Sequence, residues 1–411
     1  MGFYLPNYMN GQLSFTNINI IKSFDHFFRS GVDSRVSFRK AFFSSFLRPP
    51  IYINSISINN SRFGTIQVYI QFPFPVLISN CHFLRCVTTQ RDDSSPGALF
   101  VISESISCSI EMTTFVLCHS HSGPGACYIS SNLVNCHHIC AFNCSTSSIL
   151  NNPASFFKGG YSTEVSFYTT MYSSAPDNKA FTNSNTFNGR YVTLSFINAC
   201  CNSLQSHGSV CEVKSILRVF CFSMTCINCS SEDMGLIYFS SDTISVFDNI
   251  LIINSRSGFI FEIIEGSSLI ITSCYSYHNK LKGIAHIHVR GHLSMSYCYF
   301  DFESGEIARR NIKTNHCLFN FSGKYSPNFQ YIGDQCQYDV DLLLTEDSLN
   351  SKDKDGQTLW IITSIIMVAL MILGFIGGFS YWDSKGKQNE LEKYTDPYPI
   401  SDFINLDFAI Q

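Results

Sequence analysis

Short apolar segments recur along this chain between corners that are rich in Asn, Ser, Cys and Gly. Residues 58–66 (INNSRFGTI) and 252–260 (IINSRSGFI) share one form of the unit. A second form replaces Asn with Cys, as in residues 81–86 (CHFLRC), which lead into 97–100 (GALF). Apolar and β-branched runs of this length, bounded by such corners, are typical of β-strands. The pattern therefore predicts many short strands joined by tight polar turns.

Each repeat contains one large apolar residue that we treat as its anchor. The anchors are Ile58, Phe83, Phe115, Phe142, Ile197, Ile227, Ile252, Tyr277, Phe300 and Phe319. Successive anchors are 19 to 32 residues apart, except for an interval of 55 that predicts one degenerate repeat between Phe142 and Ile197. The leucine-rich repeat has a similar period, but its L-x-x-L-x-L-x-x-N signature is absent.

This period predicts an all-β fold, a right-handed parallel β-helix (solenoid), over residues 51–335. One turn cannot bury the inner face of its own strands, whereas turns stacked about 4.8 Å apart share a continuous apolar core. Inward Phe and Ile should then stack from turn to turn. Asn and Cys near the corners should form ladders, in which Asn side chains bond buried backbone groups.

The first 50 residues are predicted to be an N-terminal cap or leading turns of a longer protein. Ile20, Ile21, Phe24, Phe27 and Phe28 have helical spacing, which favours a cap helix over 18–30. Residues 1–20 lack the basic and apolar regions of a signal peptide. Either the true N-terminus lies upstream or export uses another route, and we favour the first interpretation.

Residues 359–382 form an uncharged apolar stretch that is long enough to cross a hydrocarbon core of about 30 Å. Trp360 and Trp382 lie at its ends, where indole rings favour the membrane interface. A buried core helix is the alternative interpretation. We predict a juxtamembrane linker over 336–358, a transmembrane helix over 359–382 and a cytoplasmic tail over 383–411. Within the helix, Gly374 and Gly378 form a G-x-x-x-G sequence that can pair helices, although such pairs also occur by chance.

Three distal lysines (Lys385, Lys387 and Lys393) slightly favour a cytoplasmic tail over the opposite orientation. We therefore expect a single-pass plasma-membrane protein whose N-terminal region is extracellular. Four N-x-S/T sequons precede the span and are candidates for N-glycosylation: Asn59, Asn143, Asn228 and Asn320. The chain has 18 cysteines, all before the span, which fits either a disulfide framework or buried free thiols. Charged residues make up only 14% of the chain and its formal net charge is −4, so we predict no nucleic-acid partner.

The densest group of metal-ligand residue types lies between positions 118 and 144. It consists of Cys118, His119, His121, Cys127, Cys136, His137, His138, Cys140 and Cys144. Zinc requires about four of these in a tetrahedral arrangement, yet packing between stacked turns produces the same density. His286 and His288 share one face of a predicted strand, near His278. We favour hydrogen-bonded or solvated histidines over a pH-sensitive or metal-binding surface. We therefore assign no metal site and no cofactor.

Many β-helices are polysaccharide lyases or hydrolases, and their sites cluster acidic side chains. Acids are sparse here. The pair Asp92 and Asp93 precedes a loop sequence, and Glu262 and Glu265 have no evident companions. We assign no catalytic residues and predict that the protein is not an enzyme.

The repeats contain two signals: an aromatic residue before Asn or Cys, and a Gly before small and apolar residues. Together they resemble the F-x-x-N and G-G-A-I repeats of chlamydial polymorphic membrane proteins. The order of β-helix, single span and short tail looks like the related surface-protein families of trichomonad protists. The resemblance covers residues 50–382, although a single Gly replaces the usual pair. It implies a surface protein that contacts host or environmental glycans or proteins. A structural surface-coat protein is the alternative.

Overall fold

The computed structural model describes residues 3–4, 12–25, 27–30, 35–55, 76–89, 96–147, 154–174, 184–204, 209–231, 234–264, 266–302, 311–321 and 336. The chain divides into two compact units, Met1–Asp341 and Leu342–Gln411, and every described residue belongs to the first. All of the elements with described bounds are β-strands. Among the described residues, no helix is both long and apolar enough to cross a membrane. The predicted span over 359–382 lies outside them.

Twenty-five strands follow one another in the part of this unit that the structure describes. The N-terminal strands are β1 (Phe3–Tyr4), β2 (Gln12–Thr16), β3 (Asn19–Ser23), β4 (Phe28–Ser30), β5 (Arg35–Arg39), β6 (Phe42–Phe46), β7 (Ile51–Ser55), β8 (Val76–Ser79), β9 (His82–Leu84) and β10 (Val87–Thr88). The central strands are β11 (Leu99–Val116), β12 (His119–Ser120), β13 (Cys127–Phe142), β14 (Ser145–Thr146), β15 (Ser155–Met171), β16 (Asn185–Cys200) and β17 (Cys211–Ile227). The C-terminal strands are β18 (Gly235–Ser241), β19 (Ile244–Ile253), β20 (Arg256–Ile263), β21 (Ser268–Tyr277), β22 (Lys280–Ile287), β23 (His292–Ser296), β24 (Tyr299–Phe300) and β25 (Ile312–Asn315).

These strands form a parallel β-solenoid of about nine turns, which confirms the predicted all-β, parallel β-helical fold. Each turn contributes three strand segments that pair in parallel with the turns before and after it. In the turn built by β13, face A comprises residues 127–131, face B residues 133–137 and face C residues 139–142. A smaller parallel sheet of β10, β12 and β14 runs beside face C.

The core follows from the two-residue alternation of the strands, because alternate side chains point into and out of the solenoid. On face C, the rings of Phe43, Phe83 and Phe115 stack at centroid distances of 5.3 and 5.0 Å. An Asn side chain near a corner bonds a buried backbone group of the adjacent turn, without a ladder of stacked Asn residues among the described residues. Oδ1 of Asn202 accepts the backbone N–H of Ser173 at 2.9 Å, in the preceding turn.

Two columns of residues with left-handed backbone conformation form the sharp corners on either side of face C. The column before face C contains Asn17, Lys40, Asn80, Met112, His138, Phe167, Phe196, Ser223, Asn249, Ser273, Tyr297 and His316. The column after it contains Lys22, Ser45, Arg85, Leu117, Asn143, Tyr172, Cys201, Asn228, Asn254, His278 and Asn320. Neither column contains Val, Ile or Thr, because β-branched side chains clash in this conformation.

The strand register corrects part of the predicted anchor set. Phe83, Phe115, Ile252 and Phe300 do stand in one inward column of face C. Phe142, Ile227 and Tyr277 stand one residue later, where side chains are half-buried, and Ile197 stands two residues earlier. A shift of one residue moves a side chain to the opposite face of a sheet. The long 55-residue interval does contain one whole turn, built by β15.

The N-terminal residues form strands instead of the predicted cap helix. β3 and β4 occupy most of 18–30, and they pair in parallel with β6 and β7. The parallel pairing therefore begins before residue 51. The helical spacing was misleading because Phe27 and Phe28 both pack in the core at a bend between two strands, where strict alternation fails.

Candidate functional site

One outward column of face A collects side chains of unusual chemistry, and we call it the aromatic–acidic column. Strand register places ten described side chains of this column beside one another, from strand to strand: Arg29, Tyr52, Phe100, Tyr128, Phe156, Thr186, Glu212, Tyr238, Glu262 and His286. Nine steps at the spacing of paired strands make the column roughly 43 Å long. It is therefore a continuous stripe along the solenoid.

The first half of the column is a ladder of stacked rings. Ring centroids are 4.6 Å apart between Tyr52 and Phe100, 5.5 Å between Phe100 and Tyr128, and 4.6 Å between Tyr128 and Phe156. The Arg29 guanidinium lies 5.5 Å from the Tyr52 ring centroid, a cation–π arrangement. Burial raises the pKa of the Tyr128 hydroxyl, so this group remains a hydrogen-bond donor at neutral pH. The ladder is thus rigid, largely apolar and polar at its hydroxyl tips.

The second half of the column begins with a buried acidic group. Glu212 accepts a hydrogen bond from the Thr186 hydroxyl at 2.9 Å and forms an ion pair with Lys214 at 2.5 Å. The Lys214 ammonium also lies 5.8 Å from the centroid of the Tyr238 ring. Burial, with the charges of Glu212 and Glu262 on either side, raises the pKa of Tyr238 to about 12. The Glu212 carboxylate is therefore held in place by partners in its own turn and the preceding one.

The column ends in a carboxylate with two histidines. Glu262 is 2% exposed, and its Oε1 lies 3.3 Å from Nε2 of His288, while its Oε2 accepts the Gly235 N–H at 3.4 Å. His286 occupies the next position of the column, and its ring centroid is 4.7 Å from that of His288. One potential ligand atom from each of the three side chains lies within 4.8 Å of the others. Glu265, the other acid singled out from the sequence, lies outside the described residues.

The predicted Cys/His group between positions 118 and 144 is dispersed over several faces. Cys118, Cys127, Cys136 and Cys144 are fully buried in the core. His119 bonds Ser145 and Ser147 in the small sheet, and His137 bonds Ser166 on face B. His138 stacks on Phe167 at a corner. Cys140 points outward from face C, as the alternation of its strand requires.

The cysteines form one disulfide among the described residues, and it joins Cys140 to Cys336 across 196 positions. The other sixteen are free, and all but Cys201 and Cys317 are buried. A cavity of about 360 Å³ lies beside the disulfide, with His82, Thr114 and Phe167 in its wall. Buried free thiols thus account for most of the cysteine content, and the disulfide fixes residue 336 against face C.

Three of the four sequon asparagines share one place in the fold. Asn143, Asn228 and Asn320 all lie in the corner column after face C, with exposed side chains. Asn59, Asp92 and Asp93 lie outside the described residues, as do Gly374 and Gly378. The Asn at each sequon favours the left-handed corner conformation, so backbone geometry is sufficient to explain its presence there.

Sequence reasoning missed the aromatic part of the column. Three repeat units are recognisable in the sequence: residues 97–100 (GALF), 125–128 (GACY) and 235–238 (GLIY). Their repetition alone does not indicate what the fourth residue of each unit does. That fourth residue is Phe100, Tyr128 or Tyr238, each of which points outward into the column. An aromatic at this fixed place was the available signal. No protein-family model, curated protein or solved structure matches this chain.

Proposed function

We propose that this protein is a non-catalytic, cell-surface β-helix protein that recognises host or environmental glycans or proteins. The observation that supports the proposal most directly is the aromatic–acidic column. Stacked rings that are half-buried at Tyr52, Tyr128 and Phe156 and buried at Phe100 lose little conformational entropy when a partner binds, and Tyr is enriched among the residues that dominate binding energy. Glycans are the better fit of the two partner classes, because a repeating stripe matches a repeating ligand and the half-buried Tyr52 and Tyr128 carry hydroxyls that can exchange hydrogen bonds with sugar hydroxyls.

The proposal includes a right-handed solenoid and attachment to the plasma membrane through residues 359–382. In this topology the solenoid is extracellular and residues 383–411 are cytoplasmic. Many weak sites on one membrane act together, so modest affinity at each stripe is sufficient to hold a surface. Protease treatment of intact cells should remove an epitope placed in the Asp242–Thr243 bend and spare one placed at residue 411. The reverse pattern would reject the topology.

The recognition proposal is tested with the full-length chain, purified in membrane mimetics. The protein is clustered at high density and applied to a glycan array and to host cells. We expect Tyr128→Ala to lower binding at least about tenfold, because it removes the centre of the ring ladder. The matched control is Tyr275→Ala, which removes one ring of the Tyr275–Tyr299 stack (4.9 Å) on face C. Equal losses in both variants would contradict a role for the column. Absence of binding by the unaltered protein would favour a structural surface-coat role.

A polysaccharide lyase or hydrolase is the second candidate, because Glu212 and Glu262 stand in the same column with only Tyr238 between them. Two steps of the solenoid separate their backbones by roughly 9.6 Å. Inverting glycosidases hold their two carboxyl groups about 6.5–9.5 Å apart, so the Glu212 and Glu262 side chains would have to lean towards each other to act as such a pair. The test is release of reducing or unsaturated ends from a panel of acidic and neutral polysaccharides. If the unaltered protein shows turnover, and both Glu212→Gln and Glu262→Gln abolish it, the protein is an enzyme and the recognition proposal is wrong.

A further inference from the structure

Glu262, His286 and His288 are brought together at the C-terminal end of the aromatic–acidic column, and we infer that they bind one divalent first-row transition-metal ion such as Zn²⁺. The carboxylate lies on β20 and the two imidazoles lie at and just after the end of β22. Parallel pairing places Glu262 directly beside His286. The three donors therefore converge from two adjacent turns of one rigid sheet.

The backbone fixes each donor without a flexible loop between them. His286 and His288 are two residues apart, so both side chains leave the same side of the chain. The ring of Phe259 stacks on the His286 ring at a centroid distance of 5.3 Å and an interplanar angle of 22°, which restricts the rotation of that imidazole. The Gly235 N–H binds Oε2 of Glu262, which leaves Oε1 directed towards His288. A site on strands that already have fixed side-chain orientations loses little entropy on binding a metal.

The donor set suits a metal ion of borderline softness. Two imidazole nitrogens and one carboxylate oxygen are a set that Zn²⁺ accepts, with a further position left for water or for a ligand group. Ca²⁺ and Mg²⁺ prefer oxygen ligands throughout and are disfavoured by two imidazoles. A divalent ion would also stabilise the buried Glu262 carboxylate, since a buried negative charge gains from every positive charge placed beside it.

The site is accessible to an incoming ion from one side. The His288 side chain is 40% exposed, whereas that of Glu262 is 2% exposed. The ion can thus enter past His288 and reach a carboxylate at the base of the site. Metal binding would also place an open coordination position at the end of the stripe. The inference does not depend on partner recognition, because it rests on these three side chains alone.

The experiment measures Co²⁺ and Zn²⁺ binding by the full-length chain. We expect one equivalent of Co²⁺ to produce ligand-field bands without the near-ultraviolet band of a cobalt–thiolate bond, and Zn²⁺ to displace it. Glu262→Gln and His288→Gln should each weaken binding at least about a hundredfold, because each removes one of three protein ligands. His288 is sufficiently exposed for its substitution to leave the core packing intact. Circular dichroism and the unfolding midpoint without metal verify the fold of each variant.

The control is His292→Gln, which removes an exposed histidine from face B of the turn that carries His286 and His288. It should retain the full affinity and stoichiometry. Failure of the unaltered protein to bind a stoichiometric ion would overturn the inference. So would undiminished binding by His288→Gln, or a thiolate band that accounts for all of the bound cobalt. The metal inference and the recognition proposal can fail independently, because the first is tested by metal binding in His288→Gln and the second by glycan binding in Tyr128→Ala.

Discussion

The hydroxyl of Tyr168 donates a hydrogen bond of 2.7 Å to Oδ1 of Asn185. The bond crosses the core of the solenoid, and Asn185 belongs to the turn after that of Tyr168. Ser155 Oγ lies 2.8 Å from the same hydroxyl, and Nδ2 of Asn185 donates to the Val210 carbonyl at 3.0 Å. Tyr168 is fully buried, and this burial raises the pKa of its hydroxyl well above the ordinary value. The group therefore stays protonated and links successive turns from within the core.

Tyr168→Phe should lower the free energy of unfolding by about 1–3 kcal/mol, because it leaves buried polar partners without their hydrogen bond. Urea denaturation followed by circular dichroism measures the change. Tyr161→Phe is the matched control, since this tyrosine lies on the same strand and is 52% exposed. Equal stabilities for Tyr168→Phe and the control would contradict a structural role for the buried hydroxyl.

Gly235→Ala should destabilise the protein by about 1–3 kcal/mol, as expected for overpacking. A Cβ atom at this position would lie 2.6 Å from the backbone nitrogen of Glu262 and 2.8 Å from its Cβ. Gly160→Ala serves as the control, because the nearest atom to its added Cβ would be 3.4 Å away, in the Asn132 side chain. Thermal unfolding compares the two. A larger loss in Gly160→Ala would contradict the close approach of residue 235 to the Glu262 backbone.

Acidification should destabilise the fold partly through His119. Burial, and then the nearby charge of His121, lowers the pKa of His119, whose nitrogens both lie 2.9 Å from serine hydroxyls. The unfolded chain takes up this proton near pH 6.5 and the folded chain only at lower pH. Stability is thus lost as pH falls from about 6.5 towards the folded pKa, and no further loss from this group follows below it.

The measurement is the thermal midpoint between pH 7 and pH 5 for the unaltered protein and for His119→Gln. We expect a smaller fall in the variant. The exposed His292 provides the control, and His292→Gln should behave like the unaltered protein. A pH dependence that is identical in all three proteins would exclude His119 as a contributor.

Native alkylation should modify Cys201 and Cys317 before the other free cysteines. These two are half-buried, whereas the remaining fourteen free thiols are buried. Burial raises the pKa of Cys317, so its reaction should accelerate as pH increases. Peptide mass spectrometry after brief iodoacetamide treatment identifies the sites. Denaturation without reductant should expose sixteen thiols in total, and eighteen free thiols would disprove the Cys140–Cys336 bond.

The repeat length and the alternation of apolar residues were sufficient to predict the parallel solenoid. Both are local properties, because each turn repeats the same strand pattern and can bury its inner face only against its neighbours. Even the whole turn hidden in the 55-residue interval between Phe142 and Ile197 followed from spacing alone. The sequence therefore determined the class of fold and the approximate length of each turn.

The register within each turn was decided only by the tertiary structure. Val116 and Phe142 are neighbours in the same column, yet the sequence makes Phe142 look equivalent to Phe115. The stacked left-handed corners select the register, and many residue types can occupy them. The meeting of Glu262 with His288, 26 positions away, and of Cys140 with Cys336 also lay beyond the sequence. These contacts depend on how turns of unequal length align in space, and no local pattern of residues records that alignment.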